Sequence, residues 1–302
     1  MQARHFLTLR DFSPEELRHI VSRGAELKRM QAAGKAWRPL TGKTLAMVFG
    51  LSSTRTRVAF ETGMHQLGGH AINLGLQDSQ IGRGEPIEDT ARVLSEMVDA
   101  VMIRTFSHDD VTAYARASGV PVINGMSGRF HPCQLLADVQ TYEEVRQRTI
   151  EGCTAAFVGD GHNMCNSYIN AARQFCFRLK IATPESHRPD SDLLAGTGNA
   201  EWTESPQDAV EDADLVVTDV WSSMGQDEEA EARRSAFDGY QVNAALLDLA
   251  DEDVVFMHCL PAHRGEEVSG DLIDDPRSVV FTEAGNRLHS QKALLEFLLA
   301  DR

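Results

Sequence analysis

The chain has 302 residues, 42% hydrophobic and 25% charged, an ordinary globular composition with length enough for two domains of about 150 residues each. Acidic residues outnumber basic ones by 45 to 29, and the formal net charge of -16 argues against a broad nucleic-acid or anionic-membrane surface. No run of about 20 apolar residues exists to span a bilayer, and Met1 to Phe12 lacks the apolar core of a secretory signal, so a soluble cytoplasmic protein is expected.

The first predicted element is an amphipathic helix from Phe12 to Met30, with Ser13 as N-cap, Pro14 at the first helical position and Glu16 closing a capping box. Apolar and helix-periodic segments then alternate: strand 44–49, helix 55–67, strand 71–74, helix 86–97, strand 100–103, helix 108–118, strand 120–123. That rhythm reads as a parallel α/β sheet. After a helix over 132–148 the pattern restarts with Thr154-Ala155-Ala156-Phe157-Val158, a Gly159-Asp160-Gly161 turn and a helix over 163–178. The restart predicts a boundary near residue 150, between domains 1–149 and 150–302. Further strands are predicted near 179–182, 215–219, 254–258 and 279–281, helices around 206–212 and 243–250, and a last helix over about 288–300 with Ala293, Leu294, Phe297 and Leu298 on its apolar face. The fold class is α/β: two Rossmann-like domains, each a central parallel sheet flanked by helices.

Two short stretches carry anion-binding groups where predicted helices begin. Ser53-Thr54-Arg55-Thr56-Arg57 follows the first strand and opens a helix on which Phe60, Met64 and Leu67 recur. There the unpaired backbone N–H groups and positive dipole end attract an anion, while hydroxyls and a guanidinium add directed donors. His131-Pro132-Cys133-Gln134 repeats the arrangement, with Pro132 suited to a first turn and His131 and Gln134 able to reach one ligand. Ligands of an open α/β sheet lie outside the carboxyl ends of its strands, where Arg104, Asp219 and Cys259 fall. Arg55, Arg57, Arg104, His131 and Arg287 are candidates for a local positive island. Taken singly, these signals have bland readings: Ser and Thr are common helix caps, His131 suits capping as well as catalysis, and Cys259 is first a small buried hydrophobe.

Five cysteines, 133, 153, 165, 176 and 259, are odd in number and lack the spacing of a disulfide framework, which fits reduced thiols. His258, Cys259 and His263 have no Cys-x-x-Cys partner, and strand neighbours point to opposite faces, so no metal is expected. A dinucleotide site at Gly159-Asp160-Gly161 is disfavoured because Met164 stands where the third glycine belongs and no acidic residue closes a second strand about 20 residues on.

Ser-Thr-Arg-Thr-Arg (53–57), His-Pro-Cys-Gln-Leu-Leu-Ala-Asp (131–138), Asp-Val-Trp-Ser-Ser-Met-Gly (219–225) and His-Cys-Leu-Pro-Ala-His-Arg-Gly (258–265) together resemble the carbamoyltransferase family, the last two motifs its ornithine branch. The resemblance spans essentially the whole chain in the family's motif order. It implies transfer of a carbamoyl group from carbamoyl phosphate to the side-chain amine of L-ornithine, giving citrulline and phosphate, with no cofactor. It implies a first domain for carbamoyl phosphate, a second for ornithine, and a last helix packed back on the first. Carried over residue by residue, it implies that Ser53, Thr54, Arg55 and Thr56 hold the phosphate, and that Thr56, Arg104, His131, Gln134 and Arg287 hold the carbamoyl oxygen. It likewise places Gln80 as a residue reaching into a neighbouring subunit's site of a homotrimer, and leaves Arg83 where some relatives carry a lysine. Asn163, Asp219, Ser223 and Met224 are implied for the amino acid, and Cys259 and the Leu260 carbonyl for the reacting amine. Arg57, two positions from Arg55 on a helix, points elsewhere and reads as an ion-pair partner. Two alternatives remain open: a carbamoyltransferase for another amine, such as putrescine or an acylated ornithine, and a non-catalytic anion-binding paralogue.

Overall fold

The computed structural model describes residues 3–75, 84–221 and 230–300. In chain order the first elements are α1 (Pro14–Ala32), β1 (Thr44–Phe49), α2 (Thr54–Gln66), β2 (His70–Gly75), α3 (Ile87–Ser95), β3 (Ala100–Arg104), α4 (His108–Ala117), β4 (Val122–Met126) and α5 (Pro132–Arg146). There follow β5 (Thr154–Val158), α6 (Asn163–Phe175), β6 (Arg178–Ala182), α7 (Ser191–Ala195), β7 (Ala200–Thr203), α8 (Pro206–Val210) and β8 (Leu215–Thr218). The last are α9 (Ala230–Ala236), α10 (Ala244–Leu247), β9 (Val255–His258) and α11 (Val280–Leu299). The chain divides into two compact units, Met1–Gln140 with Gly285–Arg302, and Thr141–Ala284.

The first unit carries a parallel sheet of order β2-β1-β3-β4. Its inner strands are buried on both faces, as parallel strands covered by helices must be, so β1 and β3 are apolar runs without alternation. Ser13 forms the expected capping box: its hydroxyl accepts the Glu16 N–H at 3.2 Å and the Glu16 carboxylate accepts the Ser13 N–H at 3.0 Å. The far end of the chain belongs to this unit as well. Arg23 of α1 pairs with Glu296 of α11 at 3.0 Å, Lys28 donates to Asn286 at 2.8 Å, and the buried Lys292 ammonium donates to Gln31 and Gln66 at 3.1 and 2.8 Å. The last helix therefore packs on the first unit, with Leu294 and Leu295 fully buried.

The second unit holds a parallel sheet of order β7-β6-β5-β8-β9. The expected strand over 279–281 does not form. Ser278 makes one isolated bridge to Phe256, and α11 begins at Val280, well before the expected start of the last helix. Val280 is 1% exposed and its neighbour Phe281 65%, so only one side chain of the pair enters the core, an in-and-out alternation that a strand and the first turn of a helix share. The edge strand β7 and the helices α7 and α9 went unpredicted, β7 because Ala-Glu-Trp-Thr is half-exposed and not apolar enough to read as a strand.

Candidate active site

Arg104 and Phe49 are register partners at the carboxyl ends of β3 and β1, so the loop leaving β1 starts beside the Arg104 side chain. Ser53 is the N-cap of α2, its Oγ accepting the Thr56 N–H at 3.2 Å, and its own O–H remains a donor. Thr56 lies in the first turn and is 1% exposed; its Oγ1 accepts from Arg104 Nη1 at 3.4 Å and from Arg287 Nη2 at 3.2 Å. Arg287, buried on α11, also donates to Gln134 Oε1 at 2.5 Å, and Gln134 Nε2 donates to the buried Asp138 carboxylate at 2.9 Å. With its amide turned to present oxygen, Gln291 accepts from Arg287 Nε and Nη2 at 2.9 Å.

The His131 imidazole sits well below its usual pKa, first because it is buried, then because the Arg287, Arg104 and Arg55 guanidiniums repel a proton. It is therefore neutral at pH 7, a donor–acceptor rather than a cation. Three guanidiniums acting on one imidazole also locate the positive island of an acidic chain. Arg57 is outside it and pairs with Glu61 one turn on, at 3.3 Å.

In the second unit, Thr218 and His258 end β8 and β9 in register, which makes Asp219 and Cys259 neighbours just past the sheet. Cys259 Sγ donates to Asp219 Oδ1 at 3.1 Å, and Val220 N–H donates to the same oxygen at 2.8 Å. His258 is fully buried; its Nδ1 accepts the Leu260 N–H at 2.9 Å, so Nε2 carries the proton and donates to Glu267 Oε1 at 3.0 Å. Leu260 holds φ at +57°, a left-handed conformation costing about 1 kcal/mol or more for a side-chain-bearing residue, and the His258 bond helps hold it. Asn163 opens α6, with its Oδ1 accepting the Met164 N–H at 2.8 Å.

Ligand atoms of Asp219, His258 and Cys259 lie within 4.8 Å of one another, yet both His258 nitrogens are engaged by Leu260 and Glu267, leaving two donors at most for a metal. The glycine turn also has a packing cause. A Cβ on Gly161 would stand 2.4 Å from the His187 carbonyl oxygen, so glycine is needed for the 187–189 segment to cross it. Gln80, Arg83, Ser223 and Met224 lie outside the described residues.

Two family models cover nearly the whole chain. The carbamoyl-P binding domain of aspartate/ornithine carbamoyltransferase matches residues 4–144, and its Asp/Orn binding domain matches residues 151–298. The chain belongs to the aspartate/ornithine carbamoyltransferase family. It is similar to an ornithine carbamoyltransferase of Chromohalobacter salexigens, 58% identical over 99% of this chain and 98% of that one. It is also similar to one of Psychrobacter arcticus, 56% identical over 100% and 98%. Among solved structures, ornithine carbamoyltransferase from Pyrococcus furiosus superposes with a TM-score of 0.94 at 48% identity, covering 100% of this chain and 98% of that one.

Several groups that shape this carbamoyltransferase's site escaped sequence reading. Asp138 lies inside a recognised motif, and its position one helical turn from Gln134 was a visible signal, since i and i+4 side chains are neighbours. Glu267, nine residues beyond His258, and the ion pair between Asp160 and Arg233 offered none: charged residues are common, and only folding brings those pairs together.

Proposed function

We propose that this carbamoyltransferase moves the carbamoyl group of carbamoyl phosphate to the δ-amine of L-ornithine, producing L-citrulline and phosphate. The observation that carries the reading is the Cys259–Asp219 contact at the ends of adjacent strands. A thiol bonded to a carboxylate suits an acceptor that brings ammonium groups, as ornithine does, and repels one that brings a second carboxylate, as aspartate would.

In this reading Ser53, Thr54, Arg55 and Thr56 bind the phosphate through the α2 N-terminus, its hydroxyls and a guanidinium. Thr56, Arg104, His131, Gln134 and Arg287 face the carbamoyl oxygen. Asn163 and Asp219 hold the α-carboxylate and α-ammonium of ornithine, with Ser223 and Met224 beside them, and Cys259 and the Leu260 carbonyl orient the δ-amine. That amine has an ordinary pKa near about 10 and attacks only as the neutral form. Its nitrogen forms a bond to the carbamoyl carbon, and the carbonyl oxygen becomes an oxyanion that the guanidiniums and the neutral His131 N–H stabilise. The bond between the carbamoyl carbon and the bridging oxygen then breaks, the electron pair leaves with that oxygen as phosphate, and the nitrogen's proton passes to the departing phosphate, with Cys259 as the relay. Asp138 and Gln291 support this by fixing Gln134 and Arg287 before substrate arrives.

We further propose a cytoplasmic homotrimer, with Gln80 supplied to a neighbour's site. Supporting the assembly, β2 is a sheet edge with Ile72 exposed, and exposed Val58 shares a hollow with His65, His70 and Ala71 on the same unit. Among the described residues no helix is long and apolar enough to cross a membrane.

The test is a colorimetric citrulline assay with carbamoyl phosphate and ornithine, run beside aspartate and putrescine as rival acceptors. Citrulline formation with ornithine strongly preferred is expected. A higher kcat/KM for another amine, or no ureido product at all, overturns the reading. Light scattering should return a mass near three times 33.3 kDa, and a monomer would refute the trimer.

A further inference from the structure

Beyond the residues assigned to substrate, one arginine ties together the two strand ends that carry the amino-acid-binding groups. The ladder between β5 and β8 runs as far as Phe157 and Val217, one residue short of the end of each strand. Thr218 Oγ1 makes the next link, donating to the Val158 carbonyl at 2.6 Å. Farther out, Arg233 of α9 bridges both chains at once: Nη2 donates to the Asp160 carboxylate on the β5 side, and Nε donates to the Trp221 carbonyl on the β8 side at 2.5 Å. Asp160 lies three residues before Asn163, and Trp221 two after Asp219. The guanidinium also stands 5.9 Å from the Phe237 ring centroid, which stacks on Trp221 with centroids 5.4 Å apart. Its position is thus set from the apolar side as well.

We propose that Arg233 is a positioning residue that fixes the distance between Asn163 and Asp219, and so sets selectivity for an acceptor carrying both an α-carboxylate and an α-ammonium. The inference rests on the reading of Asn163 and Asp219 as the amino-acid cradle.

Two properties make this pair a positioning device more than a source of stability. The side chains are 11% and 12% exposed, and for ions so far removed from water desolvation cancels most of the attraction. Burial pushes the Asp160 carboxyl up to about 7 although Arg233 pulls it down, while Asp219 adds to the rise. What the pair retains is geometry, because a planar guanidinium presents donors at fixed angles to two acceptors and a lysine ammonium on its flexible stem does not.

Steady-state kinetics of the full-length protein test this with Arg233→Gln, Arg233→Lys, Asp160→Asn and the Arg233→Gln/Asp160→Asn double variant. The competitive inhibitor is 2-aminopentanoate, which is ornithine without its δ-amine. Arg233→Gln should raise the ornithine KM at least tenfold and the inhibitor Ki by the same factor, with the carbamoyl phosphate KM within twofold. Arg233→Lys should recover part of the loss. Asp160→Asn, which keeps an acceptor for the guanidinium but removes its countercharge, should raise the ornithine KM about threefold and lower Tm, since Arg233 is left as a buried unpaired charge. The double variant should be no worse than Arg233→Gln, since one link is broken twice.

If both KM values rise together, if the double variant's losses multiply, or if the Ki stays within twofold of wild type, the proposal fails. Should Arg233→Gln not fold, Asp160→Asn decides by the same Ki criterion. A wild-type protein that makes no citrulline defeats the functional reading first. One that makes it, with Arg233→Gln and Asp160→Asn indistinguishable from wild type, defeats the arginine's role alone.

Discussion

Thr56→Val probes the buried donors most directly, because it removes one oxygen and keeps the shape. Thr56 Oγ1 accepts from Arg287 at 3.2 Å and Arg104 at 3.4 Å, and all three side chains are buried. A hydrogen bond from a charged donor contributes about 1.5–3 kcal/mol, and both distances exceed the usual 2.9–3.0 Å, so the low end applies to each. The pair then accounts for about 3 kcal/mol, or about 6–12 °C in Tm for a unit of this size. The kinetic cost is expected to be larger. In the proposed mechanism the two guanidiniums stabilise the carbamoyl oxyanion and would lose their orientation without the shared acceptor, and one misplaced donor of that kind costs about 10²–10³ in rate. We expect kcat/KM for carbamoyl phosphate to fall by that factor and the ornithine KM to stay within about twofold, measured by citrulline formation with each substrate varied in turn. Thr56→Ser, which keeps the hydroxyl and loses a methyl group of about 0.8 kcal/mol, should retain most activity. Wild-type kcat/KM in Thr56→Val would refute the assignment of this oxygen as the organiser of Arg104 and Arg287.

Three further outcomes are expected. His131 is held neutral when folded but titrates near 6.5 when unfolded, so below pH 6.5 the unfolded chain binds the extra proton and Tm should fall as pH falls; His131→Gln should flatten that limb of a Tm–pH series, and an unchanged limb would show the histidine is not buried neutral. Glu267 accepts from His258 Nε2 at 3.0 Å and from the His263 N–H at 2.6 Å, so Glu267→Met strands two donors and should cost about 2–5 kcal/mol, read as a drop in urea midpoint. Cys259→Ala should lower kcat by about 10² with the carbamoyl phosphate KM nearly constant, and an undiminished kcat would remove the thiol from the proton path.

Legibility followed sequence distance. The helix starting at Thr54 and the strand before it were readable because cap, donors and apolar period lie within about two dozen consecutive residues. The strand ends bearing Arg104, Asp219 and Cys259 were readable as places, since a parallel sheet dictates where loops converge. What each side chain touches was not. Arg287 lies 231 residues from Thr56, and nothing in the 279–288 stretch distinguishes a helix from the strand that its Val-Val-Phe suggests. The resemblance supplied Arg287; only packing supplied Asp138, Glu267 and the bridge from Arg233. The glycine turn shows the converse, a motif with a familiar outline whose glycine answers to a crossing segment of backbone.

The division of the chain has a consequence for biosynthesis. Because residues 285–302 complete a unit begun at the amino terminus, the second unit is an insertion within the first. In a nascent chain the faces of α1 and α2 that meet Lys292 and Glu296 stay uncovered until the residues of α11 have been made. The inserted body is free to condense earlier, as contiguous domains do. Arg287 rides in on that closing piece, so a prematurely terminated product lacks a core helix and one of the buried guanidiniums together.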